Sequence, residues 1–293
     1  MSENRSYYGR PVLKEPAWRV PDVPGYLFLG GLAGASAGAA ALCDLTGRAG
    51  LCRTYRAVAA GAAVSSVGAL IHDLGRPARF LYMLRVFKPT SPLSVGSWIL
   101  APFGGLATAA AAAEFAGRAR WARPAGIGAG VLGPAMCTYT AVLLADTAVP
   151  AWHSAYRELP FVFAGSALTS AAGAGLLCGG RAEHEPARRM GWLGAGIELV
   201  ASGLLERAHG LAGEPYRTGR ARRLLRAATG LTIAGAGLSA AGRRSRVATG
   251  LAGAAYLAAG LCTRFGVFDA GIRSTRDPKY VVTPQRDRLT QTT

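Results

Sequence analysis

The residues best equipped for chemistry sit in one short stretch, His72-Asp73-Leu74-Gly75-Arg76-Pro77-Ala78-Arg79-Phe80, which runs on through Arg85 and Lys88 to Pro92. A carboxylate, an imidazole and several basic groups are gathered there between two long apolar runs. Such groups are costly beside lipid and usually face a cavity or a partner. Their types fit proton exchange at the edge of a membrane. The three-residue spacing of Asp73 and Arg76 would bring them together as an ion pair in a helical turn. Further groups of the same kind are Tyr139, seven residues before Asp146, then His153, Tyr26 near the start of the first apolar run, and Glu198 inside a later one.

The elements that must position these residues read as membrane helices. Hydrophobic residues make up 51% of the chain and Gly reaches 40. Apolar runs cover Val23–Cys43, Ala57–Ile71, Pro89–Ala113, Pro124–Ala145, Leu159–Gly180, Ala227–Gly242 and Val247–Thr263, and another, Met190–Leu205, is interrupted by Glu198. Crossing about 30 Å of hydrocarbon takes about 20 helical residues, and arginines at the ends can snorkel. The expectation is an all-α integral membrane protein of about eight transmembrane helices in two four-helix bundles. Its parts are an extramembrane tail (1–22), a first bundle (23–150), a second bundle (151–266) and a C-terminal tail (267–293), expected to be extended because Pro278 and Pro284 disfavour helix there.

The first twenty residues are polar and carry prolines, so the first apolar run reads as a retained helix rather than a signal peptide. The net charge of +17 is scattered over the loops between apolar runs. That distribution suits anionic lipid and topology signalling, not nucleic acid. With eight spans, both termini and the loops holding Asp73, His153 and His209 share one face, and this face carries 21 of the 33 Lys and Arg. The positive-inside rule then places the termini in the cytoplasm. Five cysteines stand singly, with no Cys-x-x-Cys, so no iron–sulfur or zinc ligand set is visible. All four histidines lie outside span centres, which gives haem no axial ligand. Gly30-xxx-Gly34-xxx-Gly38 and Gly126-xxx-Gly130 offer small-residue faces for helix packing.

The segment Asp73-Leu74-Gly75-Arg76-Pro77 followed by Phe80-Leu81-Tyr82-Met83-Leu84-Arg85-Val86-Phe87-Lys88-Pro89 and Ser94-Val95-Gly96-Ser97-Trp98 resembles the NrfD/polysulfide-reductase membrane-subunit family. Tyr26–Gly31, Tyr139–Leu144 and Val149–His153 agree with it, and Ala141 departs from the Gly that often follows Tyr-Thr. The likeness runs through residues 20–170 and thins beyond. It implies an eight-helix subunit, without a redox centre of its own, that anchors a ferredoxin-like iron–sulfur subunit paired with a molybdopterin catalytic subunit. Such a subunit exchanges electrons with menaquinone or ubiquinone. Relatives often hold that partner outside the cytoplasm, whereas the charge count puts the presumed docking face inside.

Quinone chemistry moves two electrons and two protons, so a site needs an apolar slot, partners for two oxygens and a route to water. On that reading Tyr139, about 10 Å below its helix end at 1.5 Å per residue, donates to a quinone oxygen. Tyr26 walls the slot, Asp73 exchanges protons with Arg76 orienting it, and His72, Asp146 and His153 stand along the way. Each has a plainer alternative: a packed phenol, a structural bridge, a helix cap, an interfacial anchor beside Trp152. Glu198 reads either as a proton path or as a neutral carboxyl bonded between helices. Arg79, Arg85, Lys88, Arg273, Arg276, Lys279, Arg286 and Arg288 form a basic surface for a partner or for lipid headgroups. Rival readings are an ion or solute transporter using Glu198 and Asp146, and a purely structural anchor. The substrate of the catalytic subunit is not encoded, although formate is one candidate.

Overall fold

The computed structural model describes residues 12–292 apart from 77, 181–182, 209 and 243–244. His209 and the side chain of Arg288 therefore lie outside the described residues, as does Pro77. The described residues form α1 (Asp22–Leu45), α2 (Ala49–Leu74), α3 (Ala78–Met83), α4 (Pro92–Phe115), α5 (Ala119–Ala145), α6 (Pro150–Ser154), α7 (Leu159–Cys178), α8 (His184–Ala208), a 3-10 turn (Glu214–Arg217), α9 (Gly219–Ala241), α10 (Arg246–Arg276) and α11 (Lys279–Thr292). Seven of them (α1, α2, α4, α5, α7, α9 and α10) are long and apolar enough to cross a membrane. At 25 residues α8 is as long, but its charges lower its hydropathy. This is an all-α integral membrane protein.

Helices α1, α2, α4 and α5 pack together, and α7 to α10 form a second group that meets the first through α1, α5 and α7. Lipid supplies no force pushing helices together, so close approach depends on small side chains. A Cβ on Gly34 of α1 would stand 2.7 Å from the Gly133 carbonyl of α5. The same seam recurs between Gly165 and Gly194 (α7 and α8) and between Gly173 and Gly253 (α7 and α10). Of the glycine faces expected from sequence, Gly34 and Gly130 lie in such a contact, Gly126 makes room for Arg56, and Gly38 meets nothing nearby.

Several helices outrun the apolar runs, because a charge ends a helix only if it cannot find a partner. The second run was expected to start at Ala57, yet α2 starts at Ala49 and carries Arg56 inward. Arg56 is 6% exposed, held by Glu114 of α4 and, at 3.1 Å, by Asp44 of α1. Glu114 is thus a clamp across helix ends. The last run was expected to stop at Thr263, but α10, 31 residues long in all, continues to Arg276, with Arg264 fully buried inside it.

The C-terminal tail is helical rather than extended. Residues 267–276 complete α10, and Asp277-Pro278 starts α11 instead of preventing it: the Asp277 carboxylate accepts the Lys279 N–H at 3.0 Å while Pro278 opens the first turn. Asp before Pro is a helix-start pattern, since the first turn has N–H groups to spare. Lys279 then reaches Glu214 at 2.9 Å, and that bond raises its ammonium above the usual lysine value, so the clasp stays charged through neutral pH.

Trp152 joins the two groups. Its ring is fully buried, stacks on Trp18 at 5.6 Å and lies 5.5 Å from Phe268. Its indole N–H donates to the Val267 carbonyl at 2.8 Å. Gly271 leaves the space that the ring occupies, which any side chain there would fill. Beside it the Tyr216 hydroxyl, kept neutral because burial raises its pKa, donates to the Ala151 carbonyl at 3.0 Å. Trp152→Ala should lower stability in detergent by about 3–5 kcal/mol, the usual cost of emptying a buried aromatic site; thermal unfolding indistinguishable from wild type would show that the groups are joined elsewhere.

Candidate functional site

Chain direction sets which residues can meet. α1 leaves the face that carries the described termini and α5 returns to it, so Tyr26, four residues into α1, and Tyr139, six residues before the end of α5, lie at similar depth. At 1.5 Å per residue that is roughly 6–9 Å below the helix ends. The two hydroxyls are hydrogen-bonded to each other, with the rings 5% and 8% exposed. The residue that shapes this pair is Gly96 of α4, where a Cβ would stand 2.6 Å from Cε2 of Tyr139. Gly96 was legible as part of a motif, but its task, giving up its side chain to a neighbouring ring, appears only in three dimensions.

One turn above the phenols, the end of α2 clasps the start of α1. The Asp73 carboxylate accepts the Arg19 backbone N–H at 2.9 Å, and His72 Nδ1 lies 2.7 Å from the Asp22 carboxylate, itself four residues before Tyr26. Gly75, at φ +70°, closes α2 in the left-handed conformation and turns the chain away. Polar groups thus descend from an exposed imidazole through Asp22 to Tyr26 and Tyr139. The N-terminal segment lies across them as a strap: Glu15 meets Arg276 at 2.6 Å, and Trp18 stacks on Trp152.

The remaining expected residues stand apart from this constellation. No ion pair between Asp73 and Arg76 occurs among the described residues; Arg76 is exposed, because the left-handed Gly75 breaks the helical spacing that would have joined them. Asp146 is exposed at the end of α5. His153 bonds the Ala145 carbonyl at 3.0 Å and so closes the end of α5. Glu198 is buried in the other helix group. The basic surface is partly spent within the chain: Arg79 bonds the Leu74 carbonyl, Arg85 lies over Tyr82, and Arg276 and Lys279 are paired with carboxylates. Sequence reasoning passed over Asp22, whose signal was its place one turn before Tyr26, and Arg264, whose signal was the apolar Phe265–Phe268 stretch resuming immediately after it.

The profile of the polysulphide reductase NrfD family matches residues 14–205. The chain belongs to the NrfD family. The match covers α1 to α7 and nearly all of α8, and so includes the phenol pair and its clasp. No curated protein matches the chain. Membership makes this NrfD chain a multi-pass membrane protein of the kind that serves respiratory oxidoreductases; NrfD subunits generally pair with iron–sulfur and molybdopterin subunits.

Because the Tyr139 ring fills the space above Gly96, Gly96→Ala should cost about 1–3 kcal/mol by overpacking, and most of that should vanish in a Tyr139→Ala background. Purely additive losses in this double-mutant cycle would place the ring elsewhere.

Proposed function

We propose that this NrfD chain is the quinone-reactive membrane subunit of a respiratory oxidoreductase. It exchanges electrons between a docked ferredoxin-like iron–sulfur subunit, itself served by a molybdopterin subunit, and menaquinone or ubiquinone. The observation that carries this reading is the buried Tyr26–Tyr139 pair beneath the Asp22–His72 and Asp73–Arg19 contacts. A quinone oxygen needs a donor in an apolar wall, and each phenol supplies one when its partner hydroxyl is displaced. Reducing the quinone takes two electrons from the partner and two protons from water. The descending groups offer a path for those protons: His72 is exposed to water, Asp22 lies against its ring nitrogen at 2.7 Å, and Tyr26 is one turn below.

In this reading Asp73 orients the entrance by fixing the N-terminal strap, while Arg76 faces solvent or the partner. The host is a bacterial cell membrane, and the charge distribution favours termini in the cytoplasm. The transporter alternative is weaker because Asp146, one of its two carboxylates, is exposed at a helix end rather than inside the bundle.

Binding of a quinone analogue to the purified complex tests the proposal. Tyr139→Phe should weaken binding roughly 3- to 10-fold, the worth of one hydrogen bond of about 0.5–1.5 kcal/mol. Asp73→Asn should leave affinity nearly unchanged and slow turnover. Full affinity and turnover in Tyr139→Phe would remove the phenol pair from the site.

A further inference from the structure

Far from the phenols, the second helix group encloses a carboxylate with an unusual set of partners. Glu198 is 3% exposed at the middle of α8. The seam between Gly165 and Gly194 draws α7 and α8 together beside it, and a Cβ on Gly165 would stand 2.5 Å from the Glu198 nitrogen. Three helices then offer hydroxyls to the carboxylate: Thr263 of α10 at 2.7 Å to one oxygen, Thr169 of α7 and Thr232 of α9 at 3.3 Å to the other.

Two of these hydroxyls have a second place to donate. Thr263 lies 3.0 Å from the Ala259 carbonyl, and Thr169 lies 3.0 Å from the Ser166 carbonyl. A threonine hydroxyl carries one proton and accepts as well. With Glu198 ionised the hydroxyls donate to it. With Glu198 protonated Thr263 turns to Ala259 and accepts the new carboxyl proton. The cluster therefore satisfies both protonation states without moving a helix, which a merely structural hydrogen bond does not require.

The charge balance points the same way. Arg264, one residue beyond Thr263, interacts electrostatically with Glu198. Its Nη2 donates to the Phe163 carbonyl at 2.9 Å, and its guanidinium lies 3.6 Å from the centre of the Phe163 ring, while Nε and Nη1 have no partner. A buried cation with spare donors makes an ionised carboxylate tolerable nearby. The other titratable groups facing Glu198 are Tyr256 of α10 and Glu206 on its own helix; among the described residues α7 and α9 present hydroxyls.

Glu198 also borders a cleft. The cleft runs along one face of α8 past Glu198, Ser202 and Glu206, with Thr229, Thr232 and Thr263 opposite. Its interior space of about 10 Å³ holds roughly one water, and Glu206 is exposed at its far end. That end lies toward the face from which α1 departs.

We propose that Glu198 is a proton-exchange site of the second helix group: its carboxylate takes a proton from water in the cleft beside Glu206 and returns it by the same route, with Arg264 supporting the ionised state. The exchanged species is the proton rather than a metal cation, because the three hydroxyls already sit at hydrogen-bond distance on the carboxylate oxygens and leave no empty cage. The site stands independently of quinone reactivity.

The test is an infrared difference spectrum of the full chain in lipid vesicles, recorded on acidification without quinone or partner subunits. The chain's other carboxylates also protonate on acidification, so the signal is the wild-type minus Glu198→Gln difference: one protonated-carboxyl component should be present in wild type and missing in Glu198→Gln. In Thr263→Val, which retains the carboxyl, the midpoint should move to higher pH by about one unit or more, since a donor to the ionised form is gone. Ser202→Leu combined with Thr229→Leu should slow the band's appearance several-fold without changing its final size. Identical wild-type and Glu198→Gln spectra would overturn the proposal, as would an unmoved midpoint in Thr263→Val or unchanged kinetics in the plugged variant. Suppression of the band by sodium at constant pH would replace the proton with a metal cation and overturn it equally. None of these outcomes depends on whether the phenol pair binds quinone.

Discussion

A bilayer neither solvates a polar group nor presses helices together, and the architecture of this chain follows from those two facts. Polar side chains inside it need partners within the protein, and helices approach only where side chains are small. Glycine seams bring α1 to α5 and α7 to both α8 and α10. The same close approaches bring polar side chains together: the space over Gly96 admits the Tyr139 ring, and the seam at Gly165 brings Thr169 against Glu198. Packing and polar contacts are thus one construction, in which a missing side chain on one helix fixes a polar group on the next.

The two helix groups carry out this scheme differently. In the first, polar groups cluster at both ends: Arg56 with Asp44 and Glu114 clamp one face, while the Asp22–His72 and Asp73–Arg19 contacts close the other above the phenols. In the second, the charges are internal, with Glu198 and Arg264 enclosed by hydroxyls and an aromatic ring. Trp152 and the strap carrying Trp18 join the groups at the face where the phenols lie, so the phenol pair sits beside the place where the halves of the molecule are fastened.

Much of this was legible in the sequence, and the exceptions have physical causes. Apolar run lengths disclosed the spans, and the family resemblance through residues 20–170 disclosed the region that holds Tyr26, Tyr139 and Gly96. Helix ends were misjudged wherever a charge was taken as a stop: Arg56 and Arg264 continue their helices because partners on neighbouring helices receive them. The tail was misread because Asp277-Pro278 is a helix start when the aspartate caps and a breaker when it does not. The Asp73–Arg76 pair failed because a single left-handed residue, Gly75, removes the periodicity on which the spacing argument relied. Convergence of α1, α4 and α5 on one phenol pair depends on contacts between residues far apart in the chain, which spacing alone does not encode.

The central claim is that the Tyr26–Tyr139 hydrogen bond occupies the place where a quinone oxygen binds. A cryo-electron-microscopy structure of the complex with a quinone analogue tests it most directly. The account predicts parted tyrosine hydroxyls, with at least one donating to the analogue and its ring lying against α1 and α5. An analogue bound elsewhere with the two phenols still joined would contradict it.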